Sequence, residues 1–131
     1  ALPSLIRKFH DAKKSNKNEV VLWGTGNARR EFLHCDDMAS ASIFLMNSYN
    51  NRDIINIGTG QDISIKDLAM KIKDITGFKG SIIWDISKPD GMPRRLLDVE
   101  KLHKLGWKHS LDFDQELQKT YKWFKQHVAK K

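Results

Sequence analysis

The chain contains a single cysteine, Cys35, so no internal disulfide framework can hold it together. That excludes the small disulfide-stapled scaffolds and makes a reducing cytoplasm the expected setting. No apolar run approaches the ~20 residues needed to cross a bilayer, and no charged-then-apolar leader opens the chain. With only 3 prolines and 8 glycines, a collagen-like chain is excluded too. Acidic residues are the scarcer charge: 16 Asp and Glu stand against 23 Lys and Arg, for a net charge of +7. This imbalance favours an anionic partner such as a nucleotide, a sugar phosphate or a nucleic acid. Most lysines, however, fall on the outer faces of expected helices among acids, which reads as a solvated surface. A nucleic-acid stripe needs aromatics interleaved with basic residues on one face. Only Tyr121-Lys122-Trp123-Phe124-Lys125 offers that, and its aromatics also fit a buried helix face. The expectation is a chain that binds neither nucleic acid nor membrane.

What is present is 131 residues, 40% hydrophobic and 30% charged, with 4 Trp and 6 Phe. This is too apolar for a disordered chain and the right length for one domain, residues 1–131. A chain of this size buries roughly two-thirds of its unfolded surface, enough for a sizeable core. It opens on Ala1-Leu2-Pro3-Ser4-Leu5, with a helical pattern already under way and no Met. The expectation is a part of a longer protein.

Leu2, Leu5, Ile6 and Phe9 recur at helical spacing, with Pro3 in the first turn, and predict a helix to about Lys14. Glu19–Trp23 reads as a short strand, Gly24–Asn27 as a turn, and Arg30–His34 as a second short strand returning beside the first. Asp36 or Asp37 is expected to cap a helix from Met38 to about Tyr49. Ile54–Ile57 reads as a strand ending in Gly58-Thr59-Gly60. Ser64-Ile65-Lys66-Asp67 resembles a capping box, Ile65, Leu68, Ala69, Ile72 and Ile75 mark one helix face, and Gly77 is a natural C-cap. Ser81–Trp84 is a further strand. A polar loop follows, then a short helix capped by Asp98 and a last helix capped by Asp112. Strands alternating with helices predict an α/β fold with a small mixed, mostly parallel sheet and flanking helices.

Two Gly-x-Gly turns follow strands, but neither continues as G-x-G-x-x-G: Arg29 and Ile63 stand where the third glycine belongs. Tight turns are the better reading. His34 and Cys35 are adjacent and would point to opposite faces of a strand, so no metal is expected there. Cys35 reads as a buried small hydrophobe. Tyr121 and Lys125 have Tyr-x-x-x-Lys spacing, but Tyr121 lies on the apolar face of the last helix and reads as core. Two clusters are better candidates for binding. Trp23 ends a strand and Arg29-Arg30 follow; Arg forks onto phosphate, and Trp packs on a base or sugar. Ser87–Arg95 is a proline-flanked loop after a strand, where ligands collect. In it Asp90 is placed to accept from sugar or ribose hydroxyls, and Arg95 to neutralise phosphate.

Val20–Gly26, followed by Arg30–Ala39 and Asn56–Gly60, resembles the C-terminal region of the extended short-chain dehydrogenases that act on nucleotide sugars. Ser87-Lys88-Pro89-Asp90-Gly91-Met92-Pro93-Arg94-Arg95-Leu96-Leu97-Asp98, followed by Leu105-Gly106-Trp107, narrows the resemblance. It points to the branch that epimerises and reduces GDP-4-keto-6-deoxy-D-mannose to GDP-L-fucose. The resemblance implies a GDP-sugar held between a dinucleotide-binding domain and this smaller one. It implies substrate contacts at Lys8, Trp23, Arg30 and Asp90, with Arg95 a further contact. Lys8 offers a point charge where Arg would fork. The family's NADP loop, catalytic Ser, Tyr-x-x-x-Lys and epimerisation Cys belong to the domain not present, and its catalytic His falls just before Ala1. The chain is therefore expected to carry no catalytic, cofactor-binding or metal residues, and to be inactive alone. The whole enzyme is expected to be a cytoplasmic NADP-dependent homodimer. A UDP- or dTDP-sugar epimerase or dehydratase, and a basic interaction module, remain as alternatives.

Overall fold

Leu5, Ile6, Phe9 and Ala12 form one stripe at helical spacing, and the first helix, α1 (Leu2–Lys14), turns that stripe inward. Pro3 sits in its first turn, and Lys13 and Lys14 end it on the side that favours cations. The structure is a computed structural model describing residues 1–129; Lys130 and Lys131, counted among the basic residues, lie outside the described residues. After α1 come β1 (Glu19–Trp23), β2 (Arg29–Arg30), α2 (Cys35–Ser48), β3 (Ile63–Ser64) and α3 (Ile65–Thr76). They are followed by β4 (Ser81–Asp85), β5 (Arg94–Arg95), α4 (Glu100–Leu105) and α5 (Phe113–His127).

The strands form two small sheets. β1 and β4 run parallel, in register from Glu19 opposite Ser81 to Trp23 opposite Asp85. β2 is the centre of the other sheet, antiparallel to β3 and parallel to β5. The α/β fold with small, mostly parallel pairing and flanking helices is thus observed, although the strands divide between two sheets. Val20 and Leu22 point inward from β1 while Val21 and Trp23 point out, as strand alternation requires. The inward residues meet α1, α3 and α5 in one core with Phe9, Leu68, Ile72, Phe78, Leu117 and Phe124. Phe9, Leu68 and Ile72 are completely buried. Each such side chain contributes roughly 1.5–3 kcal/mol of burial. The termini of α3 match the sequence reading: Ser64 Oγ accepts the Asp67 N–H at 3.0 Å, and Gly77 closes the helix at φ 72°.

A second, smaller cluster joins Ala41 and Leu45 of α2 to Leu102 and Trp107. Here the structure departs from the sequence reading. Arg30–His34 does not return beside β1; only Arg29 and Arg30 are in a strand, and it belongs to the other sheet. Ile54–Ile57 is not a strand. No backbone–backbone hydrogen bond joins it to any other segment among the described residues. Ile55 and Ile57 pack against the second cluster while Ile54 is 91% exposed. Alternation gives this segment a strand pattern, but a strand exists only where a neighbour pairs with its backbone. The cap of α2 also differs: the His34 ring accepts the Asp36 N–H at 3.1 Å. Asp37 is buried instead, taking the Ser110 and Leu111 N–H groups at 3.2 and 3.3 Å. Cys35, expected to be buried, opens α2 and is exposed.

Candidate functional site

Two neighbouring strands each carry an Arg-Arg pair. In the parallel register Arg29 faces Arg94 and Arg30 faces Arg95. Successive strand residues alternate faces, so Arg29 and Arg94 share one face, Arg30 and Arg95 the other. Asp62 lies on the first face, its side chain only 6% exposed, and binds Arg29 Nε at 2.8 Å and Arg94 Nε at 2.5 Å. The Arg29 hydrogen bond, with that of Arg94 behind it, holds the Asp62 carboxyl below its ordinary range. These two arginines are engaged in the fold. Arg30 and Arg95 are on the opposite face. The Arg95 side chain makes no hydrogen bond or ion pair among the described residues, and the half-buried Arg30 donates from Nη1 to the Arg29 and Met92 carbonyls at 2.7 and 2.8 Å.

The loop between β4 and β5 brings Asp90 to the turn after β1. Asp90 Oδ1 accepts the Thr25 N–H at 2.6 Å, and Oδ2 accepts the Thr25 hydroxyl at 2.6 Å. These bonds, the hydroxyl first, hold the Asp90 carboxyl below its ordinary range. Trp23, two residues before Thr25, is 67% exposed, and Lys88 Nζ lies 5.5 Å from its ring centroid. Trp23 ends β1, Asp90 is held two residues beyond it at Thr25, and Arg30 and Arg95 are partners in the other sheet. Lys8 is apart from them, lining a different groove on α1 with Asp11 and Val21. Of the five expected residues, only Arg30 also lines a cleft of about 820 Å³. That cleft runs between the start of α1, residues 32–35 and residues 109–114.

Both Gly-Thr-Gly sequences are turns filled from within. Gly24 has φ 83° and Gly26 φ 81°, values that favour glycine. A side chain at Gly24 would run into the Asp90 carboxylate, and one at Gly26 would come within 2.7 Å of the Trp84 ring. In the other turn Glu31 Oε2 accepts the Thr59 N–H at 2.9 Å, the Gly60 N–H at 2.6 Å and the Thr59 hydroxyl at 3.2 Å. Its Oε1 accepts the Leu97 N–H at 3.2 Å. Successive backbone N–H groups in such turns form an anion nest. Here the anions are the chain's own carboxylates, so neither turn is open to a dinucleotide pyrophosphate. Sequence reasoning missed Thr25, Glu31 and Asp62. The signal available was the recurrence of Gly-Thr-Gly in a chain with no third glycine.

His34, Cys35 and Asp36 offer possible metal-ligand atoms within 4.8 Å of one another. The sequence argument against them assumed a strand, whereas they open a helix. His34 Nδ1 is engaged as the cap of α2, and its Nε2 faces Glu116 Oε2 at 3.4 Å. Tyr121 is in the core, its hydroxyl 2.9 Å from His10 Nδ1, with Lys125 over its ring.

Residues 1–58 match the NAD dependent epimerase/dehydratase family. The chain is 51% identical over 127 residues to the probable GDP-L-fucose synthase 1 of Oryza sativa subsp. japonica, covering 97% of this chain and 39% of that protein. It is 47% identical over 132 residues to the GDP-L-fucose synthase of Escherichia coli (strain K12), covering 94% of this chain and 41% of that one. The crystal structure of a GDP-L-fucose synthetase from Naegleria fowleri matches its fold with a TM-score of 0.91 at 27% identity. That match covers 98% of this chain and 40% of the other. Sequence and fold thus agree in the chain's similarity to the NAD dependent epimerase/dehydratase family. Within it, the relatives it resembles over nearly its whole length include several GDP-L-fucose synthases. It spans about two fifths of the length of these relatives.

Proposed function

We propose that residues 1–131 are the C-terminal, GDP-sugar-binding domain of an NADP-dependent GDP-L-fucose synthase, which converts GDP-4-keto-6-deoxy-D-mannose to GDP-L-fucose. The observation that carries this reading is the segregation of the arginines. Arg30 and Arg95 share one face of their sheet, Asp62 holds Arg29 and Arg94 on the other, and Trp23 stands exposed at the end of β1. Two guanidinium groups on one face suit a diphosphate, and the Trp23 ring suits a base or sugar. Asp90 belongs to the set through its loop, whereas Lys8, in its separate groove, does not.

NADPH, when bound by the whole enzyme, supplies hydride to the C4 ketone. The residues of this chain do not fit that cofactor, because both Gly-Thr-Gly nests are occupied by Asp90 and Glu31. Its own task is to hold the GDP end, and remote binding energy of that kind orients a reacting centre. The unpaired backbone of 54–57 and the exposed Ile43, Met46 and Ile54 support the reading of a domain that packs against further chain. No helix among the described residues is long and apolar enough to cross a membrane. The reading takes the enzyme to be a cytoplasmic homodimer.

Calorimetric titration of the chain with GDP-, UDP- and dTDP-sugars tests the assignment. The GDP-sugar is expected to bind best, and Arg30→Ala to weaken it on the order of tenfold, as the loss of a charge-assisted contact does. Preference for a uridine or thymidine sugar would overturn it. With NADPH and the 4-keto sugar, the chain alone is expected to show no turnover.

A further inference from the structure

We propose that the groove between the last turns of α1 and the second half of α5 is a further anion site, one that takes a small diphosphate. His10, Lys13 and Lys14 of α1 and Tyr121 and Lys125 of α5 line it, and the end of α3 closes it. It shares no lining residue with the 820 Å³ cleft or with the groove at Lys8, and it contains none of Trp23, Arg30, Asp90 and Arg95. The proposal therefore stands apart from the GDP-sugar reading.

Three ammonium groups converge here. Lys125 Nζ lies 4.9 Å from the centroid of the Tyr121 ring. Lys13 reaches over the end of α3, its Nζ 3.0 Å from where a Gly77 side chain would begin. Lys14 follows His10 by one helical turn, on the same side of α1. None of these lysines makes an ion pair among the described residues. Where Arg29 and Arg94 converge, the carboxylate of Asp62 stands between them. Where the lysines converge, the fold supplies no such acid; Asp11 acts on His10 without pairing with a lysine. Like charges held together repel, and an anion among them relieves the repulsion.

His10 and Tyr121 add a hydrogen-bond donor. Tyr121 is buried, and its hydroxyl meets His10 Nδ1 at 2.9 Å. Burial, then the charges of Lys14, Lys125 and Lys13, against the pull of Asp11, hold the His10 ring below its ordinary pKa, so it is neutral at neutral pH. Burial raises the Tyr121 hydroxyl, which keeps its proton. A neutral imidazole and a phenol carry one donor hydrogen each, and their mutual bond uses one of them. The other is left for a ligand, on His10 Nε2 or Tyr121 Oη according to the tautomer. A single phosphate carries at most about two negative charges, so three ammonium groups suit a diphosphate better. The groove volume, about 300 Å³, is at the small end for ligand pockets and limits the occupant to a small anion.

Inorganic pyrophosphate titrated into the chain tests the site, with the His10 ring followed by NMR and circular dichroism checking the fold of each variant. Pyrophosphate is expected to raise the His10 pKa, since an anion opposes the lysine charges that lower it. Lys14→Gln and Lys125→Gln are each expected to weaken pyrophosphate on the order of fivefold, the worth of one charge near a surface. Lys122→Gln, on α5 but outside the groove, and Arg30→Ala are expected to leave the His10 response unchanged. Inorganic phosphate is expected to bind more weakly than pyrophosphate. A His10 pKa that pyrophosphate does not move would overturn the proposal. So would an equal loss in Lys122→Gln, which marks only diffuse attraction to a basic chain. A response lost in Arg30→Ala would do the same, and phosphate binding as well as pyrophosphate would overturn the diphosphate assignment. If pyrophosphate moves His10 while no GDP-sugar binds, the groove stands and the GDP-sugar reading fails. GDP-sugar binding with an unmoved His10 defeats the groove alone.

Discussion

Gly24-Thr25-Gly26 and Gly58-Thr59-Gly60 have the same sequence, and each wraps a carboxylate with its threonine N–H and hydroxyl. Their surroundings differ. The second turn is half-buried, and its guest Glu31 also takes the Leu97 N–H, so three segments meet on one side chain. In the first turn Gly24 and Gly26 are buried but Thr25, which makes the hydrogen bonds, is exposed, and its guest Asp90 sits at the middle of a loop that also carries Lys88, set over the Trp23 ring. One motif therefore serves as an internal joint in one place and a surface fastening in the other. Burial separates the two roles, because an orphaned N–H costs most where water cannot replace its partner.

Replacing the inner guest is expected to have the largest effect. Glu31→Ala leaves the Thr59, Gly60 and Leu97 N–H groups without their acceptor and is expected to cost about 2–4 kcal/mol in urea denaturation. A shift under about 0.5 kcal/mol would erase the distinction between the turns. Thr25→Val, at the outer turn, is expected to leave the urea midpoint within the scatter of ordinary surface substitutions while GDP affinity falls. Acid sharpens the contrast further. The Asp90 carboxyl is held below its ordinary value, so its bonds to Thr25 are intact above the usual carboxylate range and weaken as the pH falls through the lowered folded value. Carboxyl NMR titration is expected to show Asp90 titrating below about 3.9 and returning toward it in Thr25→Val. The smallest change is expected in Thr25→Ser, which keeps both donors.

Much of the scaffold was legible in the residues. The stripe of α1, the alternation of β1 and the two caps of α3 are local patterns, and the structure shows each of them. The site was legible only in its members. Trp23, Arg30, Asp90 and Arg95 were identifiable as candidates, but Lys8 lines a separate groove. Nothing in the order Arg29-Arg30 or Arg94-Arg95 says which of each pair is free. That depends on the register of β2 against β5 and on Asp62, which sits more than thirty positions from Arg94. The expected strand at 54–57 shows the same boundary, since its pattern is present and its pairing is not.

The sequence by itself determined the helices, the caps of α3 and α5, the inward faces and the resemblance to a nucleotide-sugar enzyme, because these are written in spacings of a few residues. Tertiary structure alone decided which carboxylate fills which Gly-Thr-Gly turn and which arginines Asp62 holds. Those contacts join residues 28 and 65 positions apart. Nothing local distinguishes one acceptor from another; the packed strands determine which carboxylate comes within reach of each turn.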